Sequence, residues 1–107
     1  MTAPTPDSCR KHPGLDVVLL YRPIGLVRAV AHWISEDVMH VDTGVIVLEP
    51  HNEVEITFAH SQGEHTVFHR IIAYVSDRVE GITQLHFVRC SHDAYQALRE
   101  VMATGTA

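Results

Sequence analysis

The segment VRAVAHWISEDVMHVD, residues 27–42, contains two stretches of alternating apolar and polar side chains, separated by a polar break at residues 35–37. In the second stretch Met39 and Val41 share one face of an extended chain, since side chains in a strand repeat with a period of two. The first stretch has the same period, and its apolar face holds Val27, Ala29, Ala31 and Trp33. The segment therefore predicts two half-buried strands joined at the break, with Trp33 in the core.

Further strands are predicted on both sides of this segment by the same alternation. EVEITF, residues 53–58, places its valine, isoleucine and phenylalanine on one face and its polar residues on the other. The other extended segments are residues 16–21, 25–34, 66–76 and 82–88. Between two of the strands, AHSQGEH at residues 59–65 has the composition of a loop. Many short strands at such intervals are typical of an all-β domain.

One helix is predicted after the last strand. Ser91 is a favourable N-cap residue, and Asp93 suits the positive N-terminal end of a helix. Apolar residues then recur at helical spacing as Tyr95, Leu98 and Met102, and Gly105 ends the helix. The expected fold is mainly β: a small antiparallel barrel or strongly curved sheet whose open edge or mouth the helix covers.

Length and composition predict a single domain without membrane or nucleic-acid partners. The chain has 107 residues, 46% of them hydrophobic, and a net charge of −5, which argues against nucleic-acid polymers. Residues 1–14, rich in proline, are expected to form a flexible tail before a domain at residues 15–107. No apolar run approaches the ~20 residues of a membrane span, and no signal peptide is evident, so a cytoplasmic protein is expected. Cys9 and Cys90 are expected to be free thiols.

Catalytic motifs are not found in the chain. GxSxG, the P-loop pattern, GxGxxG and HExxH are all absent, and no serine stands beside an identifiable base. We therefore expect no enzymatic activity and no cofactor.

Nine histidines raise the alternative of a metal site. His65 and His69 would stand ~13 Å apart on one strand, too far to share an ion. His32 and His40 would come within ~5 Å if their neighbouring strands paired them. A histidine-based metal protein built from these two and Asp42 stays open as the least favoured reading.

The chain resembles the PilZ domain family over residues 22–102. The resemblance rests on a strand leading into ISED, a restarting strand MHV, a proline-containing turn before EVEITF, and the late strand LHFV before a helix. PilZ domains are six-stranded antiparallel barrels with a C-terminal helix, and many are bacterial receptors for cyclic di-GMP. The resemblance implies this fold and a place in signalling.

The ligand motifs of that family are degenerate here. Of the family's [DN]xSxxG motif, Ser35 is kept, whereas Trp33 and Val38 replace the acidic or amide residue and the glycine. The RxxxR motif is missing, because the arginine after Arg22 is Arg28. Arg22, Arg28 and Ser35 are the candidate ligand-binding residues that the resemblance leaves.

Two functions follow from the resemblance. The favoured one is a non-catalytic PilZ-type module of the cyclic di-GMP or pilus and motility network, which acts mainly through protein contacts. The alternative is a true cyclic di-GMP receptor that uses Arg10, Arg22, Arg28 and Ser35 in an unusual arrangement. A homodimer or partner site is expected at the apolar run of residues 45–48, because small barrels expose sheet edges.

Overall fold

The structure is a computed structural model that describes residues 10–22, 24–79 and 81–104. For residues 10–13, 79, 102 and 104 it describes the backbone and not the side chain. Its six strands and one helix are β1 (Arg10–Tyr21), β2 (Gly25–Ile34), β3 (Val38–Asp42), β4 (Glu53–Gln62), β5 (His65–Val79), β6 (Ile82–Cys90) and α1 (His92–Thr104). The strands pair antiparallel in the order β1-β2-β3-β6-β5-β4 and close into a barrel. The predicted fold class is confirmed.

Alternating apolar residues fill the barrel interior. Met39 and Val41 of β3 are fully buried, as are Ile56 and Phe58 of β4. Their polar neighbours face outward, since successive side chains in a strand point to opposite faces. The interior faces predicted for β3 and for EVEITF are confirmed.

Trp33 does not continue the buried face of β2, so its predicted place in the core is wrong. The pairing of β2 with β3 shifts register between Ala31 and Trp33. A bulge of this kind adds one residue to a strand and reverses the alternation beyond it. Ile34 is consequently buried, while Trp33 is partly exposed and pairs with His40.

Residues 59–65 form no loop, which corrects a second prediction. Strands β4 and β5 continue pairing as far as Gln62 and His65, so that only Gly63 and Glu64 make the turn. Gly63 has a φ of 64°, which glycine adopts without strain. Burial alternates here as in any half-buried strand, since Ala59 and Ser61 are exposed and His60 between them is buried. The alternation is not evident in the sequence because the buried residue is a histidine rather than an aliphatic residue.

Strand β1 begins inside the segment predicted as a tail. Arg10 and Lys11 already pair with Ile34 and Trp33, so the boundary at residue 14 is too late by at least five residues. The register shifts between Lys11 and Leu15, where Gly14 has a φ of 149°. Pro13 and Gly14 therefore belong to an irregular part of β1. Proline and glycine are also typical of linkers, so composition alone does not distinguish the two cases. Residues 1–9 lie outside the described chain.

Helix α1 begins as predicted and packs its apolar face against β5 and the barrel core. The backbone N–H of Ala94 donates to Ser91 Oγ at 3.1 Å, which confirms the N-cap. Among the described side chains of the helix, the buried ones are those of Ala94, Ala97, Leu98 and Val101, and the side chain of Met102 lies outside the description. It therefore uses alanines that the predicted stripe omitted, and Tyr95 is only partly buried. Gly105 lies outside the described residues, and no described helix is long and apolar enough to cross a membrane.

The connection between β3 and β4 is anchored to the barrel by Tyr21. The buried Tyr21 hydroxyl accepts hydrogen bonds from the Glu49 backbone N–H at 2.9 Å and from Asn52 Nδ2 at 3.2 Å. Leu48, next to this anchor, is fully buried in the core. The loop is thus a fixed part of one end of the barrel.

Tyr21→Phe is expected to lower the free energy of unfolding by about 1–3 kcal/mol, because the Glu49 N–H and the Asn52 amide lose their acceptor. Urea unfolding monitored by circular dichroism measures the change. Tyr74→Phe, on a partly buried ring, is the control and should cost less. Equal losses in the two variants would mean that the hydroxyl of Tyr21 does not hold the loop.

Candidate functional site

The three predicted ligand-binding residues lie at separate places along β1 and β2. Arg22 follows β1 at the turn into β2, Arg28 lies within β2, and Ser35 follows its last residue. Ser35 lies seven positions after Arg28 along nearly extended chain, a span of ~23 Å at ~3.3 Å per residue. The structure does not bring Ser35 together with either arginine.

Arg22 lies in an acidic setting. It lines a shallow groove of about 350 Å³ together with Glu53 and Glu55. Glu55 also accepts from Arg70 at 3.4 Å on the surface. An anionic ligand that approached Arg22 here would meet two carboxylates, which oppose its negative charge.

Arg28 has a similar setting in a second groove, of about 500 Å³. The groove is lined by Asp16 and Asp42 besides Arg28, and Val30 lies between the two acidic residues by strand pairing. Carboxylates thus flank both candidate arginines. Neither groove has the excess of positive charge that phosphate recognition uses.

Ser35 serves the turn between β2 and β3. Its hydroxyl lies 3.2 Å from Asp37 Oδ1 and accepts from the Val38 backbone N–H at 3.2 Å. The Ser35 N–H donates to the Val38 carbonyl at 2.8 Å. These local bonds are typical of serine and aspartate in turns. The polar break is therefore a hydrogen-bonded turn, and the Asp37 carbonyl ties it to the Phe87 N–H of β6 at 2.8 Å.

The start of β1 pairs with the end of β2 that leads into this turn. The backbone of Arg10 lies opposite Ile34 and that of Lys11 opposite Trp33, the two residues that precede Ser35. Composition predicts that Arg10 and Lys11 belong to the tail, because proline and glycine follow them. The register of β1 therefore places the backbone of Arg10 and Lys11, rather than Arg22 or Arg28, at the same end of β2 as Ser35.

An aromatic row crosses the outer face of the barrel beside the same turn. The rings of Trp33 and His40 stack with centroids 6.1 Å apart. The rings of Tyr74 and His86 lie 5.2 Å apart. Because His86 pairs with Val38 and His40 pairs with Gln84, the two histidines are diagonal neighbours on β3 and β6. Partly exposed rings of this kind offer flat faces to a planar ligand.

His32 and His40 are not paired across β2 and β3, because the bulge in β2 aligns Trp33 with His40. Among residues 10–22, 24–79 and 81–104 no group of three or more histidine, cysteine, aspartate or glutamate side chains is placed to hold a metal ion. The alternative metal site with Asp42 therefore lacks the arrangement on which it depended.

Exposed aliphatic side chains lie at the β1–β2 turn, at the start of β2 and in the connection between β3 and β4. Leu26 is 74% exposed and Val45 93% exposed, and Ile24 and Val47 are also more than half exposed. The loop that carries both valines starts beside Val30 and ends at Tyr21. We call these four residues the apolar end. The barrel is closed, so the exposed sheet edge expected near residues 45–48 is absent from the described strands, although the exposed valines are present.

A histidine cluster lies where α1 covers the β4–β5 hairpin. His60, only 8% exposed, contacts Glu100 of the helix through its Nε2 at 3.1 Å from Oε1. The ring of His69 lies 6.2 Å from that of His60 and 5.4 Å from that of Phe58, centroid to centroid. The sequence pattern does not reveal this cluster, because residues 59–65 have the composition of a loop.

Two nitrogen atoms of this cluster are buried without a hydrogen-bond partner in the described structure: Nδ1 of His60 and Nε2 of His69. A buried polar atom left unsatisfied costs about 1–3 kcal/mol, so each is an unusual feature of the interior.

Cys90 is a free thiol at the end of β6. Burial raises the pKa of the Cys90 thiol, because it disfavours the charged thiolate. The thiolate is the reactive form, so Cys90 is a poor nucleophile at neutral pH. Cys9 lies outside the described residues.

No protein-family model matches the chain, and no curated protein matches it.

Proposed function

We propose that this protein is a cytoplasmic, non-catalytic bacterial signalling module of PilZ type, which works in the cyclic di-GMP or pilus and motility network mainly through protein contacts. The observation that carries the proposal is the apolar end, where Ile24, Leu26, Val45 and Val47 are each more than half exposed. Grouped exposed apolar side chains are typical of surfaces that bind other proteins. The six-stranded barrel with its C-terminal helix is the fold that the resemblance implied.

The electrostatics of the grooves favour the same function over ligand binding at Arg22 or Arg28. Glu53 and Glu55 accompany Arg22, and Asp16 and Asp42 accompany Arg28. A dianionic nucleotide would have to overcome these carboxylates at either arginine.

The partner that we propose for the apolar end is a second copy of this chain. Light scattering is expected to give the mass of a dimer for the wild type at high concentration and that of a monomer for the double variant Leu26→Asp, Val45→Asp. Two buried carboxylates in a self-complementary interface would each lack a partner, which makes association unfavourable.

The matched control is Val88→Asp, which also places a carboxylate on an exposed valine, 61% exposed, but on β6. It should remain a dimer. A monomeric wild type, or a dimer that survives the double substitution, would contradict the proposed interface.

A second candidate function is direct binding of cyclic di-GMP at the β2–β3 turn. It is favoured by the register that places Arg10 and Lys11 beside Ile34 and Trp33, next to the stacked rings of Trp33 and His40. Arginine can pair with phosphates, and aromatic faces can stack on guanine.

Isothermal titration calorimetry of cyclic di-GMP into the full chain separates the two functions. The receptor predicts saturable binding that Arg10→Ala weakens by about 10- to 150-fold, the equivalent of ~1.5–3 kcal/mol for a charge-assisted contact. Arg22→Ala, at the far end of β2, is the control and should leave binding unchanged. Absence of heat from the wild type would reject the receptor, whereas saturable binding would displace the protein-contact proposal as the main function.

A further inference from the structure

The hairpin formed by β4 and β5 extends beyond the strands on either side of it. β1 pairs with β4 only as far as Phe58, and β6 pairs with β5 only from Ile71 onward. β4 and β5 nevertheless continue to pair with each other as far as Gln62 and His65. Within the described chain, residues 65–70 of β5 therefore have a neighbouring strand on one side only.

The backbone hydrogen bonds of Val75 show which residues of β5 face β4. The N–H of Val75 donates to the Asn52 carbonyl at 2.9 Å, and its carbonyl accepts from the His51 N–H at 2.7 Å, both just before β4 begins. Successive residues of an antiparallel strand direct these groups to opposite sides, and the pairing of β5 with β4 has no register shift. The odd-numbered residues of β5 between the turn and Val75 consequently face β4.

Thr66, Phe68 and Arg70 therefore direct their backbone N–H and C=O groups away from β4, to the side on which β6 has ended. In the part of the chain that the structure describes, these groups make no backbone hydrogen bond to a strand, a loop or α1. They form an unpaired strand edge, which another extended segment can join through a ladder of backbone bonds.

The side chains at this edge are apolar and basic. Phe68 is 69% exposed on β5, and Val88, 61% exposed, is the extra residue of a bulge in β6. Arg70 and Arg89 are also exposed. Because Arg89 pairs with Ile72, two residues after Arg70, the two arginines are diagonal neighbours on the outer face. The edge thus presents two cations together with two apolar side chains.

The charges favour an acidic segment at this edge. Arg70 Nη1 lies 3.4 Å from Glu55 Oε2, which offsets part of its charge. Among the described residues no carboxylate lies within ion-pair distance of Arg89. A carboxylate on a joining strand can pair with these guanidinium groups. Since side chains on one face of a strand repeat every two residues, the residue two positions away on that strand lies opposite Phe68.

We propose that β5 binds an extended segment of a partner protein by strand addition along residues 65–70. The segment runs antiparallel to β5 and carries a carboxylate residue opposite Arg70, followed two positions later by an apolar residue that packs against Phe68. The opposite edge of the hairpin, on β4, has only Ala59 and Ser61 as outward residues, so it lacks both the aromatic ring and the cations. The proposal does not depend on a dimer at the apolar end.

The probe is a capped hexapeptide with the order threonine, glutamate, threonine, tyrosine, threonine, valine. It is titrated into the full chain and followed by nuclear magnetic resonance. The backbone amide signals of Thr66, Phe68 and Arg70 are expected to shift saturably. The same peptide with lysine in place of glutamate should bind at least about 2-fold more weakly, because it loses exposed ion pairs.

Two pairs of variants test the backbone edge and the charge separately. Thr66→Pro removes one N–H from the edge and should weaken binding of the glutamate peptide by about 2- to 12-fold. Its matched control is Ser61→Pro, directly opposite Thr66 on β4, which should leave the affinity unchanged because its N–H points to the other edge. Arg89→Gln should weaken binding by about 1.5- to 5-fold, whereas Arg78→Gln, an exposed arginine at the far end of β5, should have no effect.

Several results would overturn the proposal. They are the absence of saturable shifts at millimolar peptide, equal affinity for the lysine peptide, or equal weakening by Ser61→Pro and Thr66→Pro. Shifts of the residues 65–70 amides when the protein alone is diluted would show that a second copy occupies the edge instead. The double variant Leu26→Asp, Val45→Asp should bind the peptide as the wild type does, so failure of the dimer and failure of this site are distinguishable.

Discussion

Phe58→Ala is expected to lower the free energy of unfolding by about 3–5 kcal/mol, because it removes a fully buried aromatic ring and leaves a cavity. Phe58 is 1% exposed inside the barrel, opposite Val17 on β1 and His69 on β5. Its loss affects the contact of β4 with both neighbouring strands. For a domain of this size the change corresponds to a fall in melting temperature of at least about 12 °C.

The chain supplies a matched control for this substitution. Phe68 is also a strand phenylalanine, but it lies on the outer face of β5 and is 69% exposed. Phe68→Ala should therefore change the stability by less than about 1 kcal/mol. Thermal and urea unfolding of both variants give the comparison. Similar losses in the two variants would show that the side chain of Phe58 is not enclosed by the barrel.

Leu98→Ala is expected to lower the free energy of unfolding by about 2–5 kcal/mol. Leu98 is 1% exposed on the buried face of α1, and the apolar residues around it belong to the same core as the barrel interior. The helix is consequently part of the folding unit, and weakening its packing should destabilise the whole domain rather than detach the helix alone.

Gln96→Ala is the control for Leu98→Ala, since Gln96 is exposed on the same helix and alanine is a good helix former. It should leave stability nearly unchanged. Unfolding followed in parallel by the helical signal in circular dichroism and by the fluorescence of Trp33 on β2 tests cooperativity. Two separate transitions in Leu98→Ala, with the helix melting first, would contradict a single core.

The sequence predicted the fold class because its signals were local. Alternation in residues 53–58 and at Met39 and Val41 reports directly which side chains face a core, since the period of a strand is two residues. Ser91 likewise marked the start of α1 through its own chemistry. Such features need only neighbouring residues in the chain, and the structure agrees with them.

The candidate site was harder to predict, because it depends on strand register. The bulge between Ala31 and Trp33 turned the tryptophan outward and aligned it with His40. Pairing of Arg10 with Ile34 brought a basic residue to the turn, while Arg22 stayed at the opposite end of β2. Register is decided by contacts between distant segments, and a shift of one residue exchanges the two faces of a strand.

The sequence by itself determined that the chain forms a mainly β domain with a capped C-terminal helix, since the polarity pattern within each segment is enough to select strand or helix. Only the tertiary structure decided that the barrel closes, that the aromatic row lies outside it, and that His60 meets Glu100 beneath the helix. These arrangements join residues far apart in the chain, and they follow from the pairing of all six strands and the packing of α1 around one core rather than from any local preference.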